Sequence, residues 1–337
     1  MLIRYVSLVV FGLLIVVKAQ EEPTPNRNNN IQNADKPIVC DCGFIDENNL
    51  VWSNVWYADY GLYKSSLQYD RNYLVMDYTV SAKYKDTLDR IFSPGNVKLS
   101  KDDGITLSVQ KESNGKYTSA AVGTKRSDFL YGTYRARMKT SNVEGTVAAF
   151  YFYRNDSCEI DIESLSKHKD PSKAYFAVQP QIYEPDGTAS ALTNEKHDLE
   201  FDPTNDYHEY RFDWTPEAVK FYIDGTYIRE MTTNVPQSPG RILLNHWTDG
   251  NPFFSGGPPN QDANLRISHL NLFFNSSETK GPPSCTQSKT PCSIADKRLK
   301  RKHEKDIMSR DILPESEITS MSNTKPAIPT YHNYFPN

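Results

Sequence analysis

Between residues 158 and 163 the chain reads Cys158-Glu159-Ile160-Asp161-Ile162-Glu163, with acids and apolar residues in strict alternation. On an extended strand successive side chains point to opposite faces, so Glu159, Asp161 and Glu163 share one face and Ile160 and Ile162 the other. Neighbouring carboxylates repel one another and weaken strand pairing unless that face is open and put to use. Crowding also spreads their pKa values, so one acid stays protonated near neutral pH while a neighbour stays ionised. That division of labour is what acid/base chemistry needs, one group giving a proton while a neighbour stays ionised. Asp161, between the glutamates, is placed to hydrogen-bond Glu159 and to influence which carboxyl holds the proton. Two other uses of this spacing stay open, a solvent-facing acidic strand and a calcium site.

Residues i and i+4 of a strand lie about 13 Å apart at Cα, so the two glutamate carboxyls must lean together to act on one bond.

The elements that must position this strand are themselves strands. Ile105, Leu107 and Val109 alternate with Thr106, Ser108 and Gln110, and Tyr134, Ala136 and Met138 alternate with Arg135, Arg137 and Lys139. The same period runs through Tyr210, Phe212 and Trp214 and through Val219, Phe221 and Ile223, after which Asp224-Gly225 marks a hairpin turn. A last strand begins at Leu265 and ends near Phe274. No long stretch has a convincing helical period. Many short strands in one run predict an all-β antiparallel sandwich or jelly roll with Greek-key connections over residues 40–277. Just ahead of the acidic strand, Phe150 and Phe152 alternate with Tyr151 and Tyr153, so one pair lines a cleft and the other belongs to the core.

Across 337 residues there are 38 Lys+Arg and 42 Asp+Glu, a formal net charge of -4, which excludes a sequence-independent nucleic-acid binder that would need a basic excess. Arg4, the apolar run Leu8 to Val17 and the small Ala19 predict a signal peptide over 1–19, cleaved after Ala19. The mature chain is therefore expected to be secreted, extracellular or in a cell wall, without a membrane span, and monomeric. Residues 20–39 are rich in Pro and Asn and read as a flexible arm, and residues 278–337 as a low-order polar and basic tail with no core pattern.

Five cysteines survive cleavage, Cys40, Cys42, Cys158, Cys285 and Cys292. An odd count in an oxidising compartment allows at most two bridges and leaves one thiol. Cys285 and Cys292 could close a short loop, and Cys40 or Cys42 could reach across to a partner. Asn155-Asp156-Ser157 and Asn275-Ser276-Ser277 match the N-glycosylation sequon, and each needs an exposed loop to be used.

Taken in order, these segments resemble glycoside hydrolase family 16. Glu159-Ile160-Asp161-Ile162-Glu163 looks like that family's E-x-D-x-E signature. Phe129 to Lys139, Gly145 to Phe150, Tyr207 to Pro216 and Val219 to Gly225 are similar to its neighbouring strands. Asn245-His246-Trp247 followed by Ser255-Gly256-Gly257-Pro258-Pro259 resembles the fungal branch of cell-wall glucanases and glucan–chitin transglycosylases. The resemblance covers about residues 100–275.

It implies a concanavalin A-like jelly roll with a substrate cleft across its concave face. It also implies retaining action on β-glucan or a related cell-wall polysaccharide, with no cofactor and no metal required. Glu159 would be the nucleophile, Asp161 its electrostatic helper and Glu163 the general acid/base. Trp247 stands where the family stacks a sugar ring, and Asn245 shares its face. Tyr151, Gln179, Gln181 and Phe254 are further candidates for sugar contacts. Cys158 departs from the pattern, since related sequences more often carry a polar or acidic residue there, and it should lie inert on the face opposite Glu159. A lectin-like binder and a calcium-stabilised wall protein are the alternatives.

Overall fold

The computed structural model describes residues 38–278 and 290–308. The expected signal peptide, most of the arm, Cys285 and residues 309–337 lie outside these. In chain order the strands are β1 (Phe44–Ile45), β2 (Val51–Trp52), β3 (Asn54–Asp59), β4 (Tyr73–Val75), β5 (Tyr78–Val80), β6 (Arg90–Phe92) and β7 (Val97–Ser100). There follow β8 (Gly104–Lys111), β9 (Tyr117–Thr124), β10 (Phe129–Lys139), β11 (Val147–Asn155), β12 (Cys158–Leu165), β13 (Lys173–Gln179) and β14 (Asn194–Asp198). The last are β15 (His208–Trp214), β16 (Val219–Ile223), β17 (Thr226–Met231), β18 (Arg241–Trp247), β19 (Ala263–Ser276) and β20 (Cys292–Ser293), before helix α1 (Lys297–Met308).

The strands form the two layers of a jelly-roll sandwich. One layer runs β14-β13-β12-β11-β18-β9-β4 with every pairing antiparallel, which places the acidic strand β12 near its middle. In the other, β10 lies between β15 and β19, and β16 and β17 continue beyond β15. The long β19 pairs on its far edge with β3 and β8. The Asp224-Gly225 turn joins β16 to β17 with both residues at positive φ (48° and 78°), the conformation of a two-residue hairpin turn whose twist matches its strands.

Period-2 patterning puts the core between the layers. Phe150, Phe152, Ile160, Ile162 and Phe176 face Tyr134, Phe212, Trp214 and Phe221. Phe152 meets Trp214 at 4.4 Å between ring centroids, Phe176 meets Phe221 at 4.9 Å and Phe150 meets Phe212 at 5.3 Å. Trp214 satisfies its indole N–H on the Pro236 carbonyl at 2.9 Å. The phenylalanines of β11 are thus the core pair, and Tyr151 and Tyr153 belong to a second cluster on the cleft side with Phe92, Leu243 and Trp247.

Two expectations change at the chain's ends. Cys292 is bonded to Cys40 across 252 residues, so it does not close the short loop with Cys285. Cys42 is also disulfide-bonded, and Cys158 is the free thiol among the described cysteines. The stretch expected to be a tail without a core pattern carries β20, which pairs with β1, and α1, which lies against β3. Leu299, His303 and Ile307 recur every fourth residue on one side of α1, and Leu299 and Ile307 are buried. His303 stacks on Tyr57 with centroids 5.8 Å apart.

Candidate functional site

β12 is flanked by β11 and β13, with Glu159 opposite Tyr153 and Gln179, Asp161 opposite Tyr151 and Ala177, and Glu163 opposite Ala149 and Tyr175. Ile160 and Ile162 anchor the strand in the core, which turns all three acids to the outer face of the layer. Each is nearly buried there, at 7–8% exposure. They line an open cavity of about 350 Å³, mouth included, with Tyr151, Asn245 and Trp247 from the neighbouring strands β11 and β18. A side wall comes from β5 and β6, through Tyr78, Val80, Arg90 and Phe92.

The acids do not share one ionisation state. Burial, then the Asp161 carboxylate and a hydrogen bond with it, push Glu159 well above the usual carboxylate range. Burial raises Asp161 to about 6, while hydrogen bonds from Glu159 and from the Gln179 amide (Nε2 to Oδ2, 3.1 Å) restrain the rise. Glu159 and Asp161 therefore hold one proton between them near neutral pH. Burial first and Asp161 second lift Glu163 to about 8, against the pull of the Arg90 guanidinium. The result is a protonated acid at one end of the row and a proton-sharing pair at the other. A calcium site would need these oxygens ionised and convergent, and among the described residues no group of His, Cys, Asp or Glu is arranged to hold a metal ion.

The indole of Trp247 has Phe254 stacked at 5.9 Å and the Arg90 guanidinium 4.8 Å from its ring centroid. Asn245 donates its amide to the Tyr151 hydroxyl at 3.2 Å, while its buried side-chain oxygen has no hydrogen-bond partner among the described residues. Behind the cleft His246 lies in the core between the Leu107 carbonyl (Nδ1, 2.8 Å) and the Thr146 hydroxyl (Nε2, 2.9 Å). A carbonyl can only accept, so Nδ1 carries the proton, and burial holds the ring neutral with its pKa lowered to about 4. The loop beyond Trp247 fits close against the site's supporting backbone. A Cβ on Gly145 (φ 97°) would stand 2.4 Å from the Gly257 carbonyl oxygen.

The family model described as Glycosyl hydrolases family 16 matches residues 84–265, more than half of the chain. The chain belongs to glycosyl hydrolases family 16. A beta-glucanase of Bacillus amyloliquefaciens is 34% identical over 170 residues, 48% of this chain and 66% of that protein. One from Acetivibrio thermocellus is 34% identical over 163 residues, 47% of this chain and 46% of that protein. The matched region thus spans between about half and two thirds of these relatives. The fold is shared with the Bacillus licheniformis beta-glucanase structure (TM-score 0.53, 23% identity, covering 65% of this chain and 98% of that one). It is shared too with the endo-beta-1,3-glucanase of Pyrococcus furiosus (TM-score 0.54, 20% identity, covering 71% of this chain and 100% of that one).

In this family-16 chain the residues expected at the site divide into three groups. Glu159, Asp161, Glu163, Tyr151, Asn245 and Trp247 converge on the cavity. Gln179 and Phe254 do not line it but touch residues that do, the first Asp161 and the second Trp247. Gln181 does not line it. β13 ends at Gln179 because Pro180 has no N–H to continue the ladder, and Gln181 turns to Asn194, whose amide reaches its carbonyl oxygen at 3.4 Å.

Arg90, Tyr78 and Phe92 were missed, since they come from strands of three residues upstream of the region that carried the resemblance. Cys158 is half-buried on the core side, as its alternation with Glu159 requires, and burial raises its thiol pKa. Asn155 is exposed at the end of β11, its side-chain oxygen accepting from the Ser157 amide at 3.1 Å. Asn275 fails the exposed-loop requirement. It lies within β19, and its side-chain oxygen accepts from the amide and hydroxyl of Ser53 at 3.1 and 2.9 Å.

Proposed function

We propose that the protein is a retaining glycosidase of β-linked glucan, working by double displacement with Glu159 as nucleophile and Glu163 as general acid/base. The observation that carries this reading is the split in ionisation along one face of β12, a protonated Glu163 beyond a proton-sharing Glu159–Asp161 pair. The beta-glucanase relatives support the substrate class. Glu163 gives its proton to the departing glycosidic oxygen while the Glu159 carboxylate bonds to the anomeric carbon. The proton that Glu159 shares passes to Asp161 as it attacks, and the Gln179 amide keeps Asp161 aimed at it. A water then gives its proton to the Glu163 carboxylate, its oxygen attacks the anomeric carbon from the leaving-group side, and the bond to Glu159 breaks. Two displacements restore the starting configuration.

A sugar ring lying on Trp247 presents its apolar face to the indole, and one of its hydroxyls can give a hydrogen to the unpartnered Asn245 oxygen. A sugar hydroxyl entering in place of water would lengthen a chain instead of shortening it. Secretion, with a cell-wall polysaccharide as substrate, is supported by the signal-like N-terminus and by the Cys40–Cys292 bridge, a bond that persists in oxidising compartments.

Product analysis of Glu163→Ala on an aryl β-glucoside oligomer with added azide tests the roles. The good leaving group departs without an acid, the glycosyl-enzyme waits for want of a base, and azide should release a glycosyl azide of unchanged configuration. Glu159→Gln should form no product on any substrate. An azide product of inverted configuration from Glu163→Ala, or turnover by Glu159→Gln, would refute the assignment.

A further inference from the structure

The outer face of the second layer carries a larger cavity, on the far side of the sandwich from the carboxylate cleft. Its free volume, mouth included, is about 980 Å³ against about 350 Å³ for the cleft. Two rows of side chains cross its floor. Glu209, Arg137 and His269 stand opposite one another on β15, β10 and β19, and Arg135, Asn271 and Tyr57 do so on β10, β19 and β3. The start of α1 forms a side wall with Lys297 and Lys300.

Several of these polar groups are committed. Arg135 pairs with Glu47 at 2.8 Å, and His269 with Asp59 at 3.1 Å. Two neighbours are not. Tyr57 is 9% exposed, and its buried hydroxyl has no hydrogen-bond partner among the described residues. Directly across the β3–β19 pair, the buried side-chain oxygen of Asn271 has none among them either. Each such group costs the fold about 1–3 kcal/mol unless something arrives to satisfy it. Arg137 is exposed and makes no ion pair among the described residues, so its guanidinium can donate at the mouth.

The chemistry of the orphaned atoms selects the ligand. The Asn271 oxygen accepts only, so a fully ionised anion has no hydrogen to give it, whatever the nearby lysines contribute. A hydroxyl can donate to Asn271, and a second can pair with Tyr57. A compound with many hydroxyls also matches the donor and acceptor of Arg137 and Glu209. We propose that this cavity is a second, non-catalytic glycan site, holding a short segment of the β-glucan that the cleft is proposed to cleave. It rests on that reading for the identity of the sugar. A chain held on one face keeps the other supplied with the same polymer, by raising its local concentration.

Calorimetric titration of full-length Glu159→Gln with a β-1,3-linked glucose hexasaccharide tests this, since the ligand survives and both sites can be counted. Two sites are expected. Adding Arg137→Ala, or separately Asn271→Ala, should weaken the second site about tenfold, the loss of one or two hydrogen bonds, and leave the cleft unchanged. In the otherwise unaltered protein, Arg137→Ala should retain its rate on the soluble hexasaccharide and lose adsorption to insoluble β-1,3-glucan. A single site in Glu159→Gln, or two sites indifferent to both substitutions, overturns the inference while leaving the cleft's proposed role intact. No binding at all, together with no turnover by the unaltered protein, overturns both.

Discussion

Glu163→Gln should make the fold less sensitive to alkali, and the size of the effect follows from where Glu163 sits. Its carboxyl is raised from 4.5 to about 8, by burial first and by the Asp161 charge second. A group whose folded pKa is raised contributes stability that is complete below its unfolded value and is lost as pH rises through the folded one. The ionised side chain therefore works against the fold from about pH 4.5 upward, and fully so only above about pH 8. At about 1.4 kcal/mol per pH unit across that window, the ceiling is about 5 kcal/mol. Water entering the open mouth of the cleft on ionisation lowers this, so we expect about 2–4 kcal/mol.

The check is thermal unfolding followed by far-ultraviolet circular dichroism from pH 4 to 9 at constant ionic strength, for the wild type and Glu163→Gln side by side. Below pH 4.5 the two should differ little. As pH rises the glutamine variant should gain steadily on the wild type, by about 4–16 °C in Tm at pH 9 for a domain of this size. Subtracting the curves removes every titration the two proteins share. Parallel curves, or a wild type that gains on the variant as pH rises, would mean that Glu163 is not held protonated. The acid role proposed for it at neutral pH would then lose its physical basis.

Trp247 is both buried and a wall of the cleft, so two substitutions separate its duties. Trp247→Ala should cost about 3–5 kcal/mol of stability, whereas Trp247→Phe should fold and show a raised KM on glucan; an unchanged KM in the phenylalanine variant would remove the sugar-stacking role. Ending the chain at Asp296 deletes α1 and the burial of Leu299 and Ile307, worth about 3–6 kcal/mol before the ordering of the helix is set against it. A drop in Tm of about 3–10 °C is expected, and a truncated chain that melts with the full one would show that α1 contributes nothing to the sandwich.

The acidic strand was legible because period 2 is a strong constraint when one face must be buried. Ile160 and Ile162 have to enter the core, and the three acids then have nowhere to point but outward. The same rule split β11 into two pairs without saying which pair was inside, because phenylalanine and tyrosine are both large enough to fill a core. What separates them is the hydroxyl, which needs a partner at the cleft side. Tyr151 meets the Asn245 amide there, and Tyr153 donates to Asp156 at 2.8 Å. Helix α1 was missed for the opposite reason. Its twelve residues are dominated by Lys, Arg and acids, and two buried apolar side chains separated by eight positions leave a stripe too sparse to read as a core-facing helix. Arg90 stayed hidden because a three-residue strand has no period to detect, and its place beside Glu163 is set by pairing between distant segments.

Asn245-His246-Trp247 shows how far the cleft depends on what lies beneath it. Alternation puts Asn245 and Trp247 on one face of β18 and His246 on the other, and a polar ring facing a core is a cost unless both nitrogens are satisfied. Leu107 and Thr146 satisfy them from β8 and from the residue preceding β11. The ring is neutral, so it brings no buried charge, and its fixed tautomer admits only this donor–acceptor arrangement. A one-residue slip of β18 would turn His246 into the cleft and drive Asn245 and Trp247 into the core. The histidine's hydrogen bonds exist only in the observed register. The orientation of the two cleft residues beside the carboxylates is thus held from the far side of the strand, by a residue that never faces the cleft.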